Sequence, residues 1–130
     1  MNSLERILYV EDDPDIQTVA TLALEVVGGF KVKVCSSGEQ ALEEAERFAP
    51  DMILLDVMMP GMDGPSTLAA LRRLPSLENV PVAFMTAKVQ PHEVSQLVAL
   101  GAENVISKPF DPMTLAHQVR TLWEHAYGKR

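Results

Sequence analysis

Ile7-Leu8-Tyr9-Val10-Glu11-Asp12-Asp13-Pro14 carries the fold in miniature. Its unbroken apolar run, begun and closed by the β-branched Ile7 and Val10, suits a strand covered on both faces. The run stops abruptly at three carboxylates. Asp13 then Pro14 pairs a side-chain cap with a first helical residue, where a missing N–H does no harm. Further strand-like runs occur at Met52-Ile53-Leu54-Leu55, Val82-Ala83-Phe84-Met85 and Val105-Ile106. Val32-Lys33-Val34 alternates instead, with Lys31 beside it, as an edge strand with one wetter face does.

Amphipathic stretches lie between the strands. Pro14 to Val27 reads as one helix, with Ile16, Val19, Ala20, Ala23, Leu24 and Val27 on its apolar side and Gly28-Gly29 at its end. Ser37 to Phe48 has capping-box spacing, Ser37 with Gln40, and an apolar stripe of Ala41, Leu42, Ala45 and Phe48. Pro65 to Leu74 stops before Pro75, and Pro91 to Leu100 stops at Gly101. Asp111 caps a last helix from Pro112, with Leu115, Ala116, Val119, Leu122 and Trp123 facing inward. The order βαβαβαβαβα implies a parallel sheet with right-handed crossovers and helices on both faces, the doubly wound α/β class. No repeat, low-complexity stretch or linker interrupts it, so residues 1–130 are expected to form one domain ending in a short tail, Gly128-Lys129-Arg130.

Composition narrows the partners. Of 130 residues, 47% are hydrophobic and 22% charged, enough apolar material for a single core. The 18 Asp and Glu against 11 Lys and Arg leave a formal charge of −7. That balance argues against a nucleic-acid or acidic-membrane surface, which needs clustered Lys and Arg. A single cysteine, Cys35, excludes an internal disulfide framework and suits a reducing cytoplasm. The stretch Met1-Asn2-Ser3-Leu4-Glu5-Arg6 has no basic n-region and no long apolar h-region, so no signal peptide is expected. No apolar run approaches the roughly 20 residues that span a bilayer. The expected location is cytoplasmic.

Ligands of open parallel sheets bind outside the carboxyl ends of the strands, where strand order reverses. Here those ends carry Glu11-Asp12-Asp13, Asp56, Thr86 and Ser107-Lys108-Pro109. Glu11, Asp12 and Asp56 would repel one another unless protonated or bridged by a cation. A hard divalent ion such as Mg²⁺ resolves the conflict through one or two carboxylates while keeping waters. Lys108 adds a long-reaching ammonium and Thr86 a hydroxyl that both donates and accepts. Cation, ammonium and hydroxyl around a carboxylate make a seat for a phosphoryl group, which Asp56 could attack in line. Asp13 needs no such role, because capping the first helix explains it.

The pieces Val10-Glu11-Asp12-Asp13-Pro14, Leu55-Asp56-Val57-Met58-Met59-Pro60-Gly61-Met62-Asp63-Gly64, Thr86-Ala87 and Lys108-Pro109-Phe110, in that order, resemble the receiver domain of two-component response regulators. The resemblance covers essentially the whole chain. It implies a flavodoxin-like three-layer fold, a five-stranded sheet of order 2-1-3-4-5 with five helices. It implies that Asp56 accepts a phosphoryl group from a phosphohistidine on a sensor histidine kinase or a histidine phosphotransfer protein. Mg²⁺ (or Mn²⁺) would be held by Asp12, Asp56, Glu11 partly through water, and the Met58 backbone carbonyl. Thr86 and Lys108 would bond the phosphoryl oxygens, small Ala87 would leave room for the donor, and the Lys108-Pro109 peptide would be cis.

The chain also departs from the family. Many receivers carry Tyr or Phe three residues before the lysine, where Val105 stands here, so the ring that reports phosphorylation is absent. Met58 and Lys88 occupy the two positions that modulate phosphoryl lifetime, and their combination is expected to alter autodephosphorylation. Residues Glu103-Asn104-Val105 and Ala116-His117-Gln118-Val119-Arg120 lack the charge complement of the DNA-binding subfamily's dimer, so a monomer is expected, with no nucleic acid bound by this domain. Four functions compete. A phosphorylatable switch, which is not a turnover enzyme, leads. A small aspartyl-phosphate phosphatase would need a general acid where Met58 stands. A flavin carrier would have its phosphate repelled by Glu11-Asp12-Asp13. A phosphorylation-independent scaffold has Val105 in its favour and the acceptor set against it. His92, His117 and His125 read as solvated or interfacial side chains, Cys35 as a packing residue, and Met58, Met59 and Met62 as loop residues rather than copper ligands.

Overall fold

The structure, a computed structural model, describes residues 3–128. Met1, Asn2, Lys129 and Arg130, on which the expectations about leader and tail partly rest, lie outside the described residues. Five strands form one parallel sheet: β1 (Arg6–Val10), β2 (Lys31–Cys35), β3 (Met52–Asp56), β4 (Val82–Thr86) and β5 (Asn104–Ser107). Their spatial order is β2-β1-β3-β4-β5. The helices are α1 (Pro14–Leu22), α2 (Gly38–Phe48), α3 (Gly64–Leu71), α4 (Pro91–Ala99) and α5 (Leu115–Gly128).

Alternation along each strand divides the core into two layers. Ile7 and Tyr9, Met52 and Leu54, and Ala83 and Met85 face one way, against Leu24 at the end of α1 and Leu115, Val119 and Trp123 of α5. Leu8 and Val10, Ile53 and Leu55, and Val82 and Phe84 face the other, against Ala41 and Ala45 of α2 and Leu68 and Leu71 of α3. β3 and β4 are buried throughout, which is why their sequences are continuously apolar, while edge strand β2 is half open.

Caps fall where side-chain chemistry puts them. Asp13 Oδ1 accepts from the N–H groups of Asp15 and Ile16 at 2.8 and 3.3 Å. Ser37 Oγ accepts from Gln40 N–H at 3.1 Å, but the Gln40 amide oxygen reaches back to Ser36 N–H, one residue earlier than in the usual box. Asp111 turns the chain into α5, yet Pro112 to Thr114 form a turn and the regular helix starts at Leu115.

The stretch expected as a single helix to Val27 changes character at Ala23. Residues Ala23–Val27 form a wider π turn, in which Gly28 N–H donates to Ala23 O at 3.1 Å. The widening sets Gly28 against α5, where a Cβ would lie 2.8 Å from that of Ala116. Arg120 seals the junction by donating to Gly28 O at 2.9 Å and stacking on Phe30. Val19, expected to face inward, is 44% exposed and Val27 50%; Ala20, Ala23 and Leu24 supply the buried stripe.

Candidate functional site

The crossover from β1 to β2 runs to one side of β1 and that to β3 to the other, so the carboxyl ends of β1 and β3 flank the cleft where strand order reverses. Glu11 continues the β1 ladder, its N–H donating to Cys35 O at 3.0 Å. Asp56 ends β3 opposite Met85, and Thr86 ends β4 opposite Ser107. Lys108 follows β5, held by its N–H to Thr86 O at 2.9 Å and by a cis peptide to Pro109.

Glu11, Asp12 and Asp56 each present a carboxylate oxygen, and these atoms lie within 4.8 Å of one another. Among the described residues they are the one such group of His, Cys, Asp and Glu side chains able to hold a metal ion. Glu11 and Asp56 are only 1% and 4% exposed; Asp12 is more open to solvent. Lys108 Nζ lies 2.8 Å from Asp56 Oδ1 and 2.7 Å from Glu11 Oε1. Burial pushes the Glu11 carboxyl above the ordinary carboxylate range, and the ammonium of Lys108 opposes that shift only in part. Burial would lower the Lys108 pKa, but hydrogen bonds with Asp56 and Glu11 outweigh it and leave the group above 10.5. The cluster fits a hard divalent cation: three hard oxygen donors converge, two of them with almost no water to neutralise them.

Backbone contacts hold the cleft open. Gly64 N–H donates to Val57 O at 2.9 Å, and a Cβ at Gly64 would sit 2.4 Å from Asp56 O. α3 can start this close to Asp56 only because residue 64 has no side chain. The Gln17 side-chain amide donates to Glu11 O and to Ser36 Oγ, tying α1 to the strand ends. Thr86 Oγ1 accepts from Lys88 N–H at 3.0 Å, so the hydroxyl is engaged with its own loop. Thr86 and Lys88 also line a groove of about 290 Å³ bordered by Val57, Met58, Leu97 and Leu100.

The structure thus brings together Glu11, Asp12, Asp56 and Lys108, with Thr86 on the neighbouring strand end. Met58 follows in the loop after β3, its side chain 66% exposed at the rim, whereas Met59 is buried in the core. Met62 packs near Gly38 of α2. His92 on α4 and His117 and His125 on α5 are exposed and stand outside the acidic cluster. Cys35 is fully buried, and burial pushes its thiol up to about 11. Sequence reasoning quoted Gly64 in the loop motif without giving it a role and missed Gln17. The Asp63-Gly64-Pro65 helix start was the available signal for Gly64.

Comparison with known proteins agrees with this geometry. Residues 7–120 match the family described as response regulator receiver domain. The DNA-binding response regulator MtrA of Mycolicibacterium smegmatis is 37% identical over 116 residues, covering 89% of this chain and 49% of that protein. The chain therefore spans about half the length of the curated relatives it matches. Among solved structures, chemotaxis protein CheY4 of Vibrio cholerae superposes with a TM-score of 0.85 at 28% identity, covering 92% of this chain and 99% of that one. The signal receiver domain of a DNA-binding response regulator from Colwellia psychrerythraea superposes with a TM-score of 0.81 at 33% identity, covering 92% and 98%.

Proposed function

The chain belongs to the response regulator receiver domain family, and from that premise we propose that it is a Mg²⁺-dependent phosphoacceptor switch with Asp56 as the acceptor. The observation that carries this reading is the position of Lys108 Nζ, 2.8 Å from Asp56 Oδ1 and beside an acidic cluster able to hold a metal. An Asp56 carboxylate oxygen forms the new O–P bond as the P–N bond of a phosphohistidine breaks. The electron pair of that bond leaves with the imidazole, which departs as the neutral ring when its other nitrogen already carries a proton, supplied on the donor protein. Lys108 follows the charge, exchanging its bond with Asp56 for one with a phosphoryl oxygen. A divalent cation held by Glu11, Asp12, Asp56 and the Met58 carbonyl would supply further positive charge against the phosphoryl oxygens.

Thr86 is the relay outward. Its hydroxyl leaves Lys88 N–H to donate to the phosphoryl group, and the loop after β4 follows. That loop borders the groove near Leu97 and Leu100, so a partner seated there reads the phosphorylation state. With Val105 in place of a ring, Thr86 and its loop carry the signal alone. The donor is a histidine kinase or phosphotransfer protein. Exposed Met58 offers no general acid for hydrolysis, in keeping with a switch rather than a turnover enzyme.

Incubation with acetyl phosphate and Mg²⁺ tests the proposal by intact mass. One added phosphoryl group is expected, absent after EDTA treatment and absent in Asp56→Asn. No adduct at any Mg²⁺ concentration would refute it.

A further inference from the structure

Gln17 ends the first turn of α1, and its side-chain amide reaches back over the strand ends. Nε2 donates to the backbone oxygen of Glu11 and, at 3.1 Å, to Ser36 Oγ just beyond β2. The carboxylates of the cluster differ in how they are held. Glu11 is buried, its Oε2 accepting from Asp13 N–H at 3.2 Å and its Oε1 2.7 Å from Lys108 Nζ. Asp56 is buried and accepts from Lys108 Nζ at 2.8 Å. Asp12 is the open member and stands outside these bonds, so its aim comes from the backbone that carries it. Three consecutive peptide units around it each carry one bond. Glu11 N–H donates to Cys35 O at 3.0 Å, Glu11 O accepts from Gln17, and Asp13 N–H donates to Glu11 Oε2. The middle unit joins Glu11 to Asp12. Because a peptide unit is rigid and planar, holding its oxygen fixes the direction in which the chain enters Asp12.

We propose that Gln17 is a positioning residue for the cation site: by holding the Glu11–Asp12 peptide it aims the Asp12 carboxylate at the point where Glu11 and Asp56 converge. The inference deepens the Mg²⁺-dependent phosphoacceptor reading above and rests on it. Gln17 itself touches neither cation nor phosphoryl group. Its amide is suited to the task, because a neutral donor holds the peptide without setting a positive charge beside a cation site. Groups that orient metal ligands from outside the coordination sphere matter to binding, and losing one costs about 10–100-fold in affinity.

Gln17→Met keeps the length of the side chain and removes the donor. Mn²⁺ is the probe, since the electron paramagnetic resonance of the free ion fades on binding and needs no phosphoryl donor. On folded protein the Mn²⁺ dissociation constant of Gln17→Met should rise about tenfold. Ser36→Ala removes the other partner of the same amide and should leave the constant within about twofold of wild type. A constant for Gln17→Met within about threefold of wild type would overturn the inference. So would an equal loss in Ser36→Ala, which would make Gln17 a clip between α1 and β2 and not a support for Asp12. Wild-type protein that bound no Mn²⁺ would instead remove the metal-dependent reading itself, and this inference with it.

Discussion

Between Glu11 and Asp56 the Lys108 ammonium reconciles two buried carboxylates that would otherwise repel across the cleft. Lys108→Met should cost about 2–3 kcal/mol in urea denaturation without metal, and added Mg²⁺ should recover most of it by replacing the missing charge. The same ion pairs set a pH dependence. Because the folded-state pKa of Lys108 lies above 10.5, its contribution is complete below that pH and is lost as pH rises through the folded value. Urea midpoints of Lys108→Met should therefore decline less steeply than wild type in that alkaline range. The strand-end positions of Glu11, Asp12, Asp56, Thr86 and Lys108 were legible in the sequence because strand ends deliver side chains to one edge whatever the packing. The Glu11 contact of Lys108 and the bond from Gln17 to the Glu11 carbonyl were not legible. Both depend on where long side chains come to rest, which periodicity does not encode.

Strands and caps were readable because burial on two faces and side-chain capping leave local marks, as in β3, Asp13 and Ser37. The end of α1 was not. Its π turn keeps Ala23 and Leu24 on the buried side, so the apolar pattern looks the same with or without the change. The turn goes with a remote contact, the close approach of Gly28 to Ala116 and its bond from Arg120. The start of α3 shows the same dependence on close approach. Gly64→Ala should lose about 1–3 kcal/mol, because its Cβ would meet Asp56 O at 2.4 Å and Val57 Cα at 2.8 Å. Gly29→Ala is the control: φ is +74° there but nothing lies within 4 Å, so a penalty of about 1 kcal/mol from backbone conformation alone is expected. Urea denaturation of both variants checks the difference.

For the whole molecule, the net charge of −7 matters through its distribution. Glu43 and Glu46 face solvent on α2, and Glu44 pairs with Lys33 at 3.4 Å. Glu11, Asp12 and Asp56 converge instead, an acidic group able to hold a cation at one end of the sheet. No helix among the described residues is long and apolar enough to cross a membrane. Metal binding to the folded chain alone should stabilise it, by about 1.4 kcal/mol at a Mg²⁺ concentration ten times the dissociation constant. The increment should vanish in Asp12→Asn, as read from urea curves with Mg²⁺ and with EDTA. The most direct measurement is chemical trapping of the acceptor. Protein phosphorylated with acetyl phosphate is reduced with borohydride, which converts an aspartyl phosphate to homoserine, and its peptides are sequenced by mass spectrometry. Homoserine at position 56 alone is the predicted result; homoserine at Asp12, Asp13 or Asp63, or none in a phosphorylated sample, would contradict the assignment of Asp56 as the acceptor.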